Sequence, residues 1–362
     1  MSGAGGVVVS GVGRAAPGDA LASTGAAVRA ALSDAGTSVS DIDGLLACGV
    51  DAYAVSDLFG FELCWRTEIS DHGALGAAAV QAVDAVVSGR LRAIVCVETM
   101  PPPDPRSGAD RFGRAEAVTG WASWHAPYGA DDETVDVALD ARAYIERFGL
   151  TRPDLARIAI VASANAGRGL SLRDYLSAPM LADPLCVHDR ARPVGGSAAV
   201  VLEPVGRVER RSGSRPVGVG GVGAAYAVSP LAERDSERAA DRAGSSLRED
   251  LHGAVPGILL IGDEYSFRVV TWLEALGLCD PGCAGGVLAT AGTISRGGTF
   301  PVNPHGGHLG LGRRPDLDLV VEAVARMRGN EGGSESGGPP STAVVALGGS
   351  GSAGCLFLRR TS

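Results

Sequence analysis

"SDHGALGAAAVQAVDAVVSGRLRAIVCVETM", residues 70–100, is the stretch on which the fold turns. A polar turn at 70–73 runs into a helix of Ala, Val and Leu over 74–89, too apolar for a surface helix. The helix stops at Gly89 and feeds a buried strand at 93–98, "AIVCVE". A cysteine at such a junction would be favoured as a thiolate by the helix N-terminus. The residue there is Gly73, and no cysteine lies between 65 and 95.

Outward from this stretch, strands alternate with helices. The spacing predicts a strand at 6–13, a helix at 18–36 and a strand at 41–49. A Pro- and Gly-rich excursion at 101–133 carries Trp121, Trp124, His125 and Tyr128, the pattern of a covering loop. Helices at 134–148 and 152–168 and a strand at 197–204 complete the first set. The polar, aperiodic stretch 206–216 is the expected boundary between units 1–205 and 215–362. Beyond it the pattern gives a strand at 217–226, a charged loop at 232–251, a strand at 257–262 and a helix at 264–277. A Gly-rich loop at 282–314, a helix at 315–328 and strands at 342–348 and 353–359 follow. "DIDGLLACGVD" in the first unit echoes "VPGILLIGDEY" in the second, so two similar fused α/β halves are expected.

Composition narrows the function. Hydrophobic content of 45% over 362 residues supports a sizeable core, and no apolar run is long enough to span a bilayer. The N-terminus lacks a signal-peptide pattern, so a cytoplasmic location is expected. A net charge of −9 argues against nucleic acid and anionic membranes as main partners. The seven cysteines contain no CxxC pair and are expected to be reduced, mostly core thiols. All 32 basic residues are arginine. Chemistry that needs a lysine amine, such as a Schiff base, pyridoxal phosphate or a Walker-type phosphate loop, is therefore excluded.

Five segments converge on one superfamily. They are the stretch at 70–100, "ALDARAYIERFGLTRPDLARIAIVASANAGRG", "YLSAPMLADPLCVHDRARPVGGSAAVVL", "IGDEYSFRVVTWLEALGLCDPGCAGG" and "GGTFPVNPHGGHLGLG". In this order they resemble the thiolase fold, in particular its sterol-carrier and lipid-transfer-protein branch. That resemblance implies a five-layered αβαβα arrangement. It also implies that the nucleophilic cysteine falls on Gly73, the oxyanion Asn or His on Gly262, the catalytic His at Arg313 and the second cysteine on Ala346. All four are absent, so thiolysis through a thiolate is not expected. "VNPHGG" followed by "LDLVVEAVARMRG" looks most like the cysteine-free relatives, which include retro-aldolases acting on CoA thioesters. These work with a small partner of oligonucleotide-binding-type fold, often carrying a zinc ribbon. Their catalysis relies on second-half tyrosines, where this chain has Tyr226 and Tyr265. The resemblance further implies a homodimer through the strand at 93–98 and its neighbours, extending the sheet across the two-fold axis.

Cleaving a C–C bond beside a thioester needs a base, donors for an enolate oxygen and an acid. His72, Tyr265, His305 and His308 are candidates for base or acid, with Asp263 as an orienting carboxylate or helix cap. The amides at Gly73, Ala74 and Leu75 are candidate oxyanion donors. Asn303, Gly306 and Gly307 would line the cavity with backbone close to a ligand, and Trp124 and His125 would cover an acyl group. Arginines 111, 114, 168 and 173 are candidate hands for CoA phosphates. No metal or resident cofactor is expected, the CoA-type thioester being substrate. Two readings stay open: a retro-aldolase-like lyase or acyltransferase-like enzyme, and a non-catalytic subunit supporting a partner.

Overall fold

The first half begins with β1 (Val7–Ala15), whose valines are buried, and α1 (Ala20–Ala35), capped by the Asp19 carboxylate and stopped by Gly36 in the left-handed region. β2 (Gly44–Cys48), α2 (Ala52–Phe59) and β3 (Trp65–Ile69) lead to the Gly73 turn, α3 (Leu75–Val87) and β4 (Ile94–Met100). This computed structural model describes residues 6–103, 122–130, 133–209, 211, 215–226, 235–251, 255–330, 338–348 and 351–361. Most of the expected covering loop, Trp121, Arg111 and Arg114 included, lies outside the described residues. After it come α4 (Ala122–His125), α5 (Glu133–Phe148), α6 (Arg152–Asn165) and α7 (Leu172–Ser177). The small hairpin β5 (Met180–Ala182) and β6 (Leu185–Cys186), then β7 (Gly196–Pro204) and α8 (Val205–Val208), close the half.

The second half runs β8 (Val217–Tyr226), α9 (Asp235–Leu251), β9 (Ile258–Ile261) and α10 (Ser266–Ala275). It finishes with α11 (Ala284–Ala289), α12 (Gly307–Leu311), α13 (Leu317–Met327), β10 (Thr342–Gly348) and β11 (Ser352–Arg360). Residues 235–251 are thus a helix where a charged loop was expected. Ala239, Ala243, Leu247 and Leu251 recur every four residues and are buried, while the charges take the other face. The expected loop at 282–314 likewise holds α11 and α12. Neither α2 nor β3 was expected.

The strand order is β3-β2-β4-β7-β1-β8-β11-β10-β9, and its two ends repeat one pattern. β7 is antiparallel to β1 and β4, and β2 is parallel to β4 and β3. Correspondingly β11 is antiparallel to β8 and β10, and β9 is parallel to β10. Where β3 would recur, Val302 makes a single parallel bridge to Leu259 of β9. β1 and β8 join the halves through Val7–Val9 and 217–219.

Alternate strand residues face different layers. In the first half Leu45, Val95 and Val201 meet Val28 and Ala31 of α1, while Leu46, Cys96 and Val200 face inward. In the second half Val344 and Cys355 meet Ala243 of α9 and Val269 of α10, while Val345 and Leu356 face inward. The two inner faces share α3 and α13. The result is the five-layered αβαβα arrangement. β4 is itself bonded on both edges, to β2 and β7, so the free edge on that side of the sheet falls to its neighbours. The outer edge of β3 has no partner strand among the described residues, whereas that of β9 is covered by Pro301 and Asn303.

The middle layer is tight where α3 crosses β11. A Cβ on Gly354 would lie 2.1 Å from the carbonyl carbon of Gly76. Gly354→Ala should therefore cost about 1–3 kcal/mol, seen as a lower urea midpoint at unchanged slope. An unchanged midpoint would show that the layer can part at this crossing.

Candidate active site at the Gly73 turn

The turn between β3 and α3 is closed by its own groups. The Asp71 carboxylate accepts the Gly73 N–H at 2.9 Å, and the Asp71 carbonyl accepts the Ala74 N–H at 3.0 Å. The Leu75 N–H goes to the His72 carbonyl. The three amides expected to hold an oxyanion are therefore occupied, because the chain enters α3 through one 3-10 turn rather than directly.

His72 is the residue this turn presents. Its Nδ1 lies 2.6 Å from Glu98 Oε1 and 3.5 Å from Cys48 Sγ. Glu98, fully buried at the end of β4, accepts the Leu317 N–H at 2.9 Å with its other oxygen. One carboxylate thus joins the first half's turn to the start of the second half's middle helix. The Cys48, His72 and Glu98 ligand atoms lie within 4.8 Å of one another. The imidazole nitrogen in that set is already bonded to Glu98, so the group is a hydrogen-bonded dyad with a thiol beside it. Burial, reinforced by Glu98, Asp316 and Asp71, raises the Cys48 pKa, and the nearest thiol stays neutral.

Asp71, His72 and Gly73 line a cavity of about 260 Å³ together with Glu133, Glu264, Arg313 and Asp316. Arg268 sits behind, 3.3 Å from Glu133 and 3.4 Å from Glu264, and Arg313 lies 3.8 Å from Glu133. Burial opposes the Arg313 charge, but Glu264, Asp316 and Glu133 outweigh it and hold its pKa above the ordinary value. Burial raises Glu264 against the pull of Arg268 and Arg313. It also raises Asp316, to which Glu98 and Glu264 add repulsion. Glu98, Glu133, Glu264, Arg313 and Asp316 were not singled out as active groups from sequence. The legible signal for Glu98 was an acid closing an otherwise apolar strand at its carboxyl end.

The Gly-rich loop does other work. Asn303, at φ 43°, bonds both the N–H and C=O of Ile261 and extends the ladder of β9. Asp263 accepts the His308 N–H and so caps α12, and burial pushes its carboxyl up to about 7. Gly307, at φ +62°, leaves room for that carboxylate, since a Cβ would lie 2.3 Å from Asp263 Oδ2. Gly306 lies against Ala166, at the end of α6. The close approaches in this loop are to protein, not to ligand space.

His305 and His308 do not line the cavity. Burial pushes His305 down to about 4, against the opposing pull of Glu322, and His308 down to about 3. Both Nδ1 atoms are buried without a partner, so an imidazole near neutral pKa is not found there. Tyr265 is buried with its hydroxyl 3.0 Å from Thr134 Oγ1, outside the cavity wall. Trp124 is 69% exposed and Tyr128 88% exposed, so neither covers an apolar chamber here. The His125 side chain lies outside the described residues. Ala346 packs in the outer core of the second half, and Gly348 is the residue of that turn at the cavity.

The fold is that of the thiolases, with Gly73 at the turn before the buried middle helix. Residues 228–358 match the family described as thiolase C-terminal domain-like. Sequence relatives point to the aldolase-like branch. The chain is 28% identical over 336 residues to a 17-hydroxy-3-oxo-4-pregnene-20-carboxyl-CoA lyase of Mycobacterium tuberculosis, covering 84% of this chain and 85% of that one. A steroid side-chain-cleaving aldolase of Thermomonospora curvata is also 28% identical, covering 84% of each chain. Among solved structures, an Ltp2-ChsH2(DUF35) aldolase superposes with a TM-score of 0.83 at 24% identity over 98% of both chains. A monomeric SCP2-thiolase-like protein type 1 from Mycobacterium smegmatis gives 0.70 at 16% identity, over 100% of this chain and 78% of that one.

The two buried histidines set an acid limit on stability. Unfolded, each titrates near 6.5; folded, each stays neutral to far lower pH. Above 6.5 neither state holds the proton, and the difference vanishes. Below it the unfolded chain takes up protons the folded chain refuses. Stability should fall as pH drops from 6.5 toward 4, by up to about 1.4 kcal/mol per pH unit per histidine. Urea titrations of His305→Gln at pH 7 and pH 5 should show a smaller drop than the parent, and an equal drop would mean that His305 protonates in the folded state.

Proposed function

We propose that this chain cleaves the Cα–Cβ bond of a β-hydroxyacyl thioester by a retro-aldol reaction that uses no cysteine. The observation that carries the proposal is His72, held through Nδ1 by the buried Glu98, on a cavity wall whose nucleophile position is Gly73. His72 takes the β-hydroxyl proton, and the O–H pair becomes the carbonyl of the departing ketone. The Cα–Cβ pair passes to the thioester as an enolate, and a proton returned to Cα completes the acyl thioester. Atoms balance with no co-reactant. Glu98 stabilises the imidazolium formed midway, and the Arg313 cation faces the developing enolate charge. The two sequence relatives support the reading, since one is a carboxyl-CoA lyase and the other an aldolase that cleaves steroid side chains.

The aromatic residues beside the cavity favour a companion to this reading. Trp124 and Tyr128 stand exposed a few residues before Glu133 of the cavity wall. We assign that surface to a small partner protein, for which we propose an oligonucleotide-binding-type fold and zinc ribbon; that the similar Ltp2-ChsH2(DUF35) aldolase is named as a two-component protein supports a heteromeric partner. Should the chain prove inactive with that partner bound, a supporting subunit is the better description. A homodimer is proposed through the open edge of β3, on the β4 side of the sheet. The proposal also includes units 1–205 and 215–362 and a cytoplasmic location.

The test is turnover of 17-hydroxy-3-oxo-4-pregnene-20-carboxyl-CoA and of simpler β-hydroxyacyl-CoAs by the chain co-expressed with its partner. Ketone and shortened acyl-CoA should form at a rate that iodoacetamide leaves unchanged. His72→Ala should lower turnover by roughly 10²–10⁴-fold. Alkylation-dependent loss without unfolding, or full activity in His72→Ala, would sink the mechanism. Light scattering at micromolar concentration should show a dimer, and a monodisperse monomer would remove β3 from the account.

A further inference from the structure

The lyase reading needs an acid to return a proton to Cα, and the family's usual cysteine is missing. We propose that Asp316 is that acid, and that Glu98, lying between it and His72, couples the two proton transfers. The proposal rests on the lyase reading.

Three observations carry it. Asp316 lines the same cavity as His72 and is 8% exposed. Among the described residues no donor reaches its carboxyl within hydrogen-bond distance, His308 Nε2 being 3.7 Å away. Glu98, by contrast, is doubly bonded, to His72 through one oxygen and to the Leu317 N–H through the other. Leu317 follows Asp316 directly, so two carboxylates compete at the start of α13. The unbonded one, Asp316, is held well above the ordinary carboxyl range by burial and by its acidic neighbours.

The groups around Asp316 all bear on this. Glu98 from β4, Glu264 before α10 and Glu133 of α5 repel a charge on it, while Arg313 attracts one. His308, from α12, is held neutral by burial. A neutral carboxylic acid facing a cavity is a proton donor. Its strength is not fixed. When His72 takes the substrate's hydroxyl proton, the imidazolium offsets the Glu98 charge. Asp316 then loses part of the repulsion that held its proton, and becomes a stronger acid as the enolate forms. The proton goes from the Asp316 carboxyl to Cα, and the carboxylate recovers it from His72 through solvent after product leaves. Nothing is oxidised or reduced. Glu98 touches no substrate and is a positioning residue.

Infrared spectroscopy tests the pair without turnover. Asp316→Asn should remove one component of the neutral carboxylic acid carbonyl stretch seen at pH 7, the buried Asp263 and Glu264 contributing others. Asn copies the shape of the neutral acid, and a thermal melt checks that it folds. In Glu98→Gln the same band should titrate away at lower pH. A difference spectrum between parent and Asp316→Asn without a neutral-acid band, or a difference band whose titration ignores Glu98→Gln, overturns the coupling whatever the activity. Enolate protonation is read separately by exchange of the α-protons of acetyl-CoA in deuterated water. Asp316→Asn should slow that exchange by roughly 10²-fold or more. Unchanged exchange with the band present would make Asp316 a buried acid with no part in chemistry. Exchange in the wild type without cleavage of any β-hydroxyacyl-CoA would overturn the lyase reading and leave the acid in place.

Discussion

Two helices sharing one layer constrain everything else in this molecule. α3 and α13 lie between the inner faces of both halves, and almost every residue of each is buried. Such helices cannot slide, because small residues such as Gly76 and Gly354 lock them against strands of the opposite half. Their N-termini are therefore fixed, and both open on the same cavity: the 70–73 turn leads into α3, and Arg313 to Asp316 lead into α13. Each helix end adds positive potential there. That helps explain how one small cavity tolerates four acidic side chains beside a single lining arginine.

Glu98 links the layer to the chemistry. It leaves β4 at the level where both helices begin, and its two oxygens are used by His72 and by Leu317. Neither half alone contains this arrangement. The carboxylate and histidine belong to the first half and the receiving amide to the second, so the catalytic geometry exists only when the five layers are assembled.

The fold was legible because buried elements carry their own signal. The apolar run of α3, the valine-rich strands and the repeated strand–acid pattern each read correctly, and their order completed the assignment. α9 was misread because Ala239, Ala243, Leu247 and Leu251 are a thin apolar stripe within a charged segment. The site was only half legible. His72 stood out beside an absent nucleophile. His305 and His308 stood out equally, because a Gly-rich loop with histidines looks alike whether its glycines face a ligand or a helix. Gly306 and Gly310 face α6, and Gly307 faces Asp263, facts that depend on packing between segments far apart in the chain. Glu98 and Asp316 were passed over for the same reason: an acid's role depends on what shares its enclosure, and sequence does not print the enclosure.

Loss of the nucleophile is chemically coherent with this enclosure. A thiolase needs a thiolate because the acyl group it cleaves must be carried on the enzyme. A retro-aldol fragment leaves as a ketone and needs no carrier. What it needs is a base with a fixed partner, a site for negative charge on the thioester oxygen, and a proton for carbon. Cysteine at position 73 would add a second anion within reach of Glu98 and Asp316, in a cavity where burial already raises carboxyl pKa values. Glycine adds none. The glycine, the buried carboxylate pair and the arginine at 313 are mutually consistent, and restoring the cysteine alone would oppose the charge balance the other residues maintain.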